Sequence, residues 1–257
     1  MSHQPSRRAT LQGLLPSHQD LFHQAESELK IRHYSPKTRK SYLCHIRHFL
    51  YWLQGATVPK EAQILKRYLL FLVEQKNISN ATLHNCHSAL RFLYKETLHY
   101  DPVIDLIKRP RSERRLPVVL SQGEVKKLLD SVINLKHRMI LALVYAGGLR
   151  VGEVVRLKAS DIDSQRMLIR VLQGKGGRDR YTLLSQSILE ELRTYWVRYR
   201  PQKWLFPGAR EGRHLTERSA QQVFHRAVQA AGIQKPATMH TLRHYADPGI
   251  MPTRLVA

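Results

Sequence analysis

A ten-residue basic segment divides this chain into two stretches that must each bury their own apolar residues. The segment is KRPRSERRLP, from Lys108 to Pro117, with two prolines and five basic residues. Proline and dense charge are typical of a linker and not of a packed helix or strand. We therefore expect a flexible N-terminus at residues 1–19, a helical domain at 20–105, the linker at 106–118 and a second domain at 119–257.

The first domain is predicted to contain four helices. Ser35 and Pro36 form a start signal, an N-cap followed by proline at the first helical position. Ser79 or Asn80 is a second candidate N-cap, before apolar residues that recur at helical spacing. The four helices are expected at residues 21–31, 36–53, 64–73 and 80–94.

The second domain is predicted to be mainly α with a small β-sheet. MLIRVL (Met167–Leu172) and RYTLL (Arg180–Leu184) are separated by the turn-rich QGKGGRD, which favours a β-hairpin. Apolar residues at helical spacing predict the helices of this domain at residues 121–130, 135–145, 188–199 and 219–231.

The charge of the chain favours a polyanionic partner. Lysine and arginine number 42 against 20 aspartates and glutamates, which gives a formal net charge of +22. Such an excess attracts nucleic acid. The alternative is a basic protein that its charge merely keeps soluble. An anionic membrane is disfavoured, because no basic amphipathic helix stands apart from the folded segments.

Several features favour a cytoplasmic protein. The first twenty residues include two arginines but no apolar signal-peptide core. The longest apolar run, Ile140–Leu149, is about half as long as a bilayer span requires. The two cysteines, Cys44 and Cys86, are too few for a disulfide framework and suit a reducing compartment.

Three clusters in the second domain carry side chains suited to binding a phosphodiester. Arg150 follows two glycines at a helix start, Lys175 lies in the glycine-rich hairpin turn, and His240 and Arg243 share one helical face if Thr238 is the N-cap. Such cations stabilise the charge that grows on a pentacoordinate phosphorus. Taken singly, each cluster has a simpler interpretation: a surface arginine, a plain turn or an unspecific motif. Their combination and order favour a site.

Three ordered motifs resemble those of the tyrosine recombinase, or phage integrase, family. They are AGGLRVGEVVRL from Ala146, QGKGGRDRYTLL from Gln173 and ATMHTLRH from Ala237. Xer recombinases and integron integrases are the members that the chain resembles most, and RRLPVVLSQGEV and GIQKPATMHTLRH are particularly similar to the latter. The insertion that integron integrases carry before the last motif does not occur between Pro207 and Ser219. The resemblance extends from about residue 20 to His244.

The resemblance implies a helical, SAM-like core-binding domain and an α+β catalytic domain, the two clamping double-stranded DNA. Arg150, with Glu153 as its orienting partner, would bind the scissile phosphate together with Arg243. His240 would complete this cradle as a proton acceptor, and Lys175 would protonate the leaving 5′ oxygen. In the family a tyrosine attacks to give a 3′-phosphotyrosine, so neither a metal nor a nucleotide cofactor is needed.

Further residues are candidates for binding DNA outside the cradle. The linker would lie along DNA phosphates through Lys108, Arg109, Arg111, Arg114 and Arg115. The alternative is a solvated linker that is merely basic. Base-reading side chains are expected on the second or fourth helix, where the candidates are Lys37, Lys40, His84 and Arg91.

The sequence departs from the family pattern after His244. Family members continue through further helices to the nucleophilic tyrosine, some tens of residues beyond the second arginine, whereas Pro248 and Gly249 here oppose a helix. Tyr245 lies two residues from Arg243, which makes it a poor substitute nucleophile. A frameshift, a truncation or a decayed gene would produce this pattern, with a catalytic domain lacking its last helices.

Two functional hypotheses remain open at this point. The first is a site-specific recombinase by descent that lacks its own nucleophile, for which an intact homologous recombinase would have to supply the tyrosine. The second is an inactive DNA-binding remnant that occupies recombination sites. The tetramer that family members form on DNA is in doubt for either, because its protomers exchange the segment that is missing here.

A metal site is a third hypothesis from another class. Cys44, His45 and His48 lie on one predicted helix, and His84, Cys86 and His87 lie on another. Within each set, however, alternate members face different sides of the helix, and Cys86 belongs to the apolar stripe. The sequence therefore predicts no metal.

Overall fold

The computed structural model describes residues 11, 13–100, 105–109, 116–172 and 179–243. The chain divides into two compact units, residues 1–115 and 116–257. The fold is mainly α with a small sheet, as the sequence predicts.

The first unit contains the four predicted helices. Ser35 Oγ accepts a hydrogen bond from Thr38 N at 3.1 Å, and Ser79 Oγ accepts one from Thr82 N at 3.3 Å, so both serines are N-caps. The last helix continues as a π-helical turn at Leu93–Thr97. The helices are α1 (Pro16–Ile31), α2 (Pro36–Trp52), α3 (Ala62–Glu74) and α4 (Asn80–Phe92).

The N-terminal boundary differs from the sequence expectation. Residues 1–19 are predicted to be flexible, yet α1 already begins at Pro16, and Leu14 and His18 are buried. Proline suits a first helical position, because its fixed φ matches the helix and its missing N–H would have no intrahelical partner. The His18 ring Nε2 lies 2.9 Å from the carbonyl oxygen of Ala56, which ties this helix to the loop after α2.

Aromatic and aliphatic side chains from all four helices form one core. Tyr68 packs between Phe49, at 5.0 Å between ring centroids, and Trp52, at 5.1 Å. Cys86 is buried in the same cluster, and burial raises the pKa of its thiol to about 12. At neutral pH Cys86 is therefore a small apolar core residue, because metal binding and nucleophilic attack require the thiolate.

The second unit surrounds one buried helix. Residues 139–145 of that helix are all buried, and they share one core with residues from the other helices and from the sheet. The helices are α5 (Gln122–Asp130), α6 (Leu135–Ala146), α7 (Val151–Val154), α8 (Gln186–Tyr199), α9 (Glu217–Ala230) and α10 (Met239–Arg243), with a 3₁₀ turn at Ala159–Asp161.

The sheet of this unit has three short antiparallel strands in the order β1-β2-β3. They are β1 (Ile162–Asp163), β2 (Leu168–Val171) and β3 (Arg180–Leu183). The last two are the predicted hairpin strands, and Val171 pairs with Arg180 at the end of their ladder. The first strand has two residues, too few for an alternating pattern to predict it.

Neither a membrane-spanning helix nor a cluster of metal-binding side chains occurs among the described residues. None of the described helices is long and apolar enough to cross a bilayer. Nor do the described histidines, cysteines and acidic residues form any group of three or more that could hold a metal ion.

A lysine ties the loop before α10 to the start of α5. Ser121 and Glu124 form a capping box: Glu124 N donates to Ser121 Oγ at 3.2 Å, and Ser121 N donates to the Glu124 carboxylate. Lys235 Nζ donates to that carboxylate at 2.8 Å and to the carbonyl of Val119 at 3.1 Å. Lys235 thus restrains the chain just before the last helix.

Replacing Lys235 by methionine should raise the pKa of Glu124. The hydrogen bond from Lys235 is the main reason that the carboxyl pKa is lowered to about 2, and the bonds from Ser121 add to it. Because the folded-state pKa is depressed, this contribution to stability is present above about pH 4.3 and is lost as the pH falls toward the lowered value. A carboxyl titration followed by NMR checks the shift. Lys126→Met, on the exposed side of α5, is the control, and equal Glu124 titrations in both variants would contradict the assignment.

Candidate functional site

The turn from Gly147 to Arg150 joins α6 to α7 and also contacts β3 and α10. Gly147 follows α6, and Gly148 has a φ of +57°, a left-handed conformation that glycine adopts without a steric penalty. The carbonyl of Gly147 accepts a hydrogen bond from Thr182 Oγ1 at 2.9 Å, and that of Gly148 accepts one from Arg243 Nε at 2.9 Å. The turn therefore holds both β3 and α10 next to the start of α7.

Glu153 is a buried carboxylate that binds two arginines. Its side chain is only 3% exposed. Glu153 Oε1 accepts from Arg150 Nη1 at 2.8 Å, whereas Oε2 accepts from Arg150 N at 2.8 Å and from Arg180 Nη2 at 2.9 Å. The carboxylate thus caps α7 and at the same time orients two guanidinium groups.

The charges of the site are strongly coupled. Burial by itself would raise the pKa of Glu153, but hydrogen bonds from Arg150 and Arg180 outweigh it and hold the pKa below the usual value. Burial lowers the pKa of Arg243, and the positive charges of Arg150 and Arg180 lower it further. Three arginines and one carboxylate therefore share a small region, with an excess of positive charge. A phosphate oxygen is the kind of ligand that such an arrangement binds.

Several predicted site residues meet here. Arg150, Glu153 and Arg243 are brought together through direct hydrogen bonds and the shared turn. His240 is exposed and precedes Arg243 by three residues on α10, directly after the predicted N-cap Thr238 and Met239. Lys175 and Tyr245 lie outside the described residues.

Arg180 belongs to this cluster but was not predicted from the sequence. In β3 the polar Arg180 and Thr182 are half-buried, whereas the larger apolar side chains of Tyr181 and Leu183 are 62% and 54% exposed. Hydrophobicity would place the opposite face inward. Two features of the sequence could have indicated Arg180. Polar residues alternate in Arg-x-Thr directly after the glycine-rich turn, and the family resemblance assigns Glu153 only one cationic partner, Arg150.

The candidates for DNA binding in the first unit are mostly exposed. Lys37 and Lys40 are exposed on α2, and α4, which packs against α2, carries half-buried His84 and exposed Arg91. Arg91 Nη2 lies 3.5 Å from Asp105 Oδ1.

Of the five basic residues in the linker, the structure describes only the first two. Lys108 and Arg109 are exposed, and Arg109 Nη2 donates to Ser88 Oγ on α4 at 3.4 Å. Arg111, Arg114 and Arg115 lie outside the described residues.

Comparisons with known proteins identify similar sequences and folds. Residues 118–247 match the phage integrase family, and residues 21–102 match the N-terminal SAM-like domain of phage integrases. The chain is 38% identical over 237 residues to y4qK of Sinorhizobium fredii, which is named as an integrase/recombinase, covering 87% of this chain and 77% of that protein. It is 32% identical over 231 residues to the tyrosine recombinase XerA of Thermococcus kodakarensis, covering 88% and 79%.

The fold is also similar to that of a solved DNA complex. A lambda integrase dimer bound to a core site superposes with a TM-score of 0.73 at 20% identity, covering 89% of this chain and 87% of that chain.

Replacing Glu153 by glutamine should destabilise the second unit by about 2 kcal/mol at neutral pH. Removing one partner of a buried ion pair costs more, but Arg150 and Arg180 are each about one-third exposed, so solvent screens part of the loss. The wild-type contribution is present above about pH 4.3 and is lost as the pH falls through the lowered folded-state value. The difference between the two proteins should therefore narrow in acid. Denaturant unfolding as a function of pH measures it.

The matched control is Glu190→Gln, which removes an exposed carboxylate from α8. A difference between wild type and Glu153→Gln that stayed constant down to strongly acidic pH would contradict the role given to the Glu153 charge.

Proposed function

The chain belongs to the phage integrase family, and we propose that it binds double-stranded DNA at recombination sites and cradles one backbone phosphate with Arg150 and Arg243. Site-specific DNA recombination is the function that this membership supports. The observation that carries the proposal is the cluster of three arginines around the single carboxylate of Glu153.

The chemistry of this cluster fits a phosphodiester. Guanidinium groups donate in a planar fork that matches two phosphate oxygens, and they remain charged at any physiological pH. Their positions are set by secondary-structure elements and by backbone carbonyls, so little reorganisation is needed when charge grows on the phosphorus in the transition state. A preorganised cradle of this kind stabilises the transition state more than the ground state.

Each proposed residue has a separate role. Arg150 and Arg243 bind the non-bridging oxygens of the phosphate, and Glu153 orients Arg150. His240 accepts the proton of the attacking hydroxyl, and Lys175 donates a proton to the leaving 5′ oxygen. The energy of the broken bond is kept in a protein–DNA ester, so the reaction requires neither a metal nor a nucleotide.

The first unit and the basic segment after it supply the remaining DNA contacts. The formal charge of +22 makes the electrostatic part of the affinity large and dependent on salt. Phosphates are bound by the linker residues Lys108, Arg109, Arg111, Arg114 and Arg115, whereas the proposed base-reading group is Lys37, Lys40, His84 and Arg91.

The source of the nucleophile is the finer part of the proposal. A polypeptide made as these 257 residues contains Tyr245 but no tyrosine at the distance from Arg243 that the family pattern uses. We propose that this polypeptide occupies DNA without cleaving it, and that a homologous recombinase supplies the attacking tyrosine when strands are exchanged. Lambda integrase, a similar fold, has been solved as a tetramer bound to a Holliday junction.

The phosphate cradle is tested by removing the charge either of an arginine in the protein or of a phosphate in the DNA. A duplex selected by the wild-type protein from a random pool is made with single methylphosphonates, which replace one charged phosphate oxygen by a methyl group. Arg150→Ala and Arg243→Ala should each weaken binding by about 10- to 100-fold, the range for hydrogen bonds to charged groups. At one phosphate position, methylphosphonate substitution should weaken the wild type much more than it weakens these variants, because each variant retains only one of the two arginines.

Salt dependence gives a second measurement for the same variants. Arg150→Ala should reduce the slope of log K against log salt by about 0.9, the value for one lost phosphate contact. Arg166→Gln, a 79% exposed arginine near the sheet, is the control. If the methylphosphonate effect in Arg150→Ala and Arg243→Ala were as large as in the wild type at every phosphate position, the proposed cradle would be wrong.

A nicked suicide duplex tests the proposal on the nucleophile. The 257-residue polypeptide should shift the duplex in a native gel but form no covalent adduct in a denaturing gel. The matched variant is Tyr245→Phe. An adduct in the wild-type polypeptide that disappeared in Tyr245→Phe would identify Tyr245 as the nucleophile and overturn this part of the proposal.

A further inference from the structure

Arg180 is the one member of the arginine cluster to which the proposed reaction gives no role. It stands at the first position of β3 and pairs in register with Val171 of β2. Its Nη2 donates to Glu153 Oε2 at 2.9 Å. Its Nη1 is buried and makes no hydrogen bond within the part of the chain that the structure describes. Burying an unpaired guanidinium nitrogen costs free energy, so its position requires a compensating interaction.

The contact with Glu153 determines how that carboxylate is turned. Oε2 receives two donors, Arg150 N and Arg180 Nη2, which leaves Oε1 for the guanidinium of Arg150. The terminal torsion of a glutamate is broad, so one backbone donor by itself restrains the carboxylate plane weakly. The second donor removes this freedom. Oε1 is then directed at Arg150 Nη1, and the Arg150 fork is held in one orientation.

The same strand is attached to the cradle a second time. Thr182 Oγ1, two residues along β3 and on the same face, donates to the carbonyl of Gly147. The stem of the β2–β3 hairpin therefore contacts both the turn that carries Arg150 and the carboxylate that orients it. A change in the position of the stem would be transmitted to Arg150 through Glu153.

We propose that Arg180 is a positioning residue, which acts through Glu153 to hold the guanidinium of Arg150 in the phosphate-binding orientation and couples that orientation to the hairpin. This inference rests on the proposed function of Arg150 as a phosphate ligand. Arg180 does not itself bind the phosphate, because one of its terminal nitrogens is occupied by Glu153 and the other is buried.

The experiment compares two matched duplexes. One has the natural phosphate at the position that depends on Arg150, and the other has a methylphosphonate there. The ratio of the two affinities measures the recognition of that phosphate alone, independently of general DNA binding. It is determined for the wild type, Arg150→Ala, Arg180→Gln, Arg180→Lys, the double variant Arg150→Ala/Arg180→Gln and the control Arg166→Gln.

Arg180→Gln should reduce this affinity ratio by about tenfold, because substitution of one residue in an ion-pair network changes the contribution of another by a factor of that order. Arg180→Lys keeps the charge but not the planar fork, so it should give an intermediate ratio. The double variant should behave like Arg150→Ala, and Arg166→Gln should behave like the wild type. The salt slope of the double variant should equal that of Arg150→Ala, because Arg180 contributes no phosphate contact of its own.

Three outcomes would overturn the inference. The first is a wild-type ratio in Arg180→Gln. The second is additivity of the two single substitutions, and the third is a further decrease of about 0.9 in the salt slope of the double variant, which would make Arg180 a direct phosphate ligand. If Arg180→Gln does not fold, the affinity ratio of Arg180→Lys is compared with that of the wild type instead, and a wild-type ratio in this variant would overturn the inference. A wild-type protein that did not distinguish the two duplexes at any position would instead show that the proposed function has failed, and this inference with it.

Discussion

The buried carboxylate of Glu153 is the interaction on which the arrangement of the site depends. Three guanidinium groups cannot lie close together in a partly desolvated region unless a negative charge offsets their repulsion. Glu153 supplies that charge from within the first turn of α7, where it also caps the helix. It offsets only part of the positive charge of the three arginines. The folded unit therefore retains an excess of positive charge at this site, which is complementary to a phosphate. The proposed phosphate binding would therefore use the same charges that stabilise the folded unit.

Much of this organisation could be predicted from local patterns. The start signals at Ser35 and Ser79 depend on the side-chain oxygen of a single residue, and both act as N-caps in the structure. The hairpin followed from two short apolar strands on either side of a glycine-rich turn. The resemblance to a family connected Arg150, Glu153 and Arg243, which no local pattern could have done because 90 residues separate the last two.

The features that escaped prediction depend on tertiary contacts. The inward orientation of Arg180 reverses the usual rule for a strand: Arg180 donates to the buried carboxylate of Glu153, whereas Tyr181 is left 62% exposed. The early start of α1 at Pro16 depends on Leu14 and His18 finding partners in the first unit. The two family matches, residues 21–102 and 118–247, fall on either side of the basic segment, so each corresponds to a stretch with its own core.

The two hydrogen bonds that join β3 and α10 to the Gly147–Arg150 turn share one property: in both, the acceptor is a main-chain carbonyl. A main-chain oxygen is present whichever amino acid the codon specifies, so a point mutation cannot delete either acceptor. It can only remove the donors, Thr182 and Arg243, or change the backbone path that Gly148 permits. Substitutions at only a few positions can therefore break these two hydrogen bonds, and related proteins that have lost them should carry substitutions at those same positions.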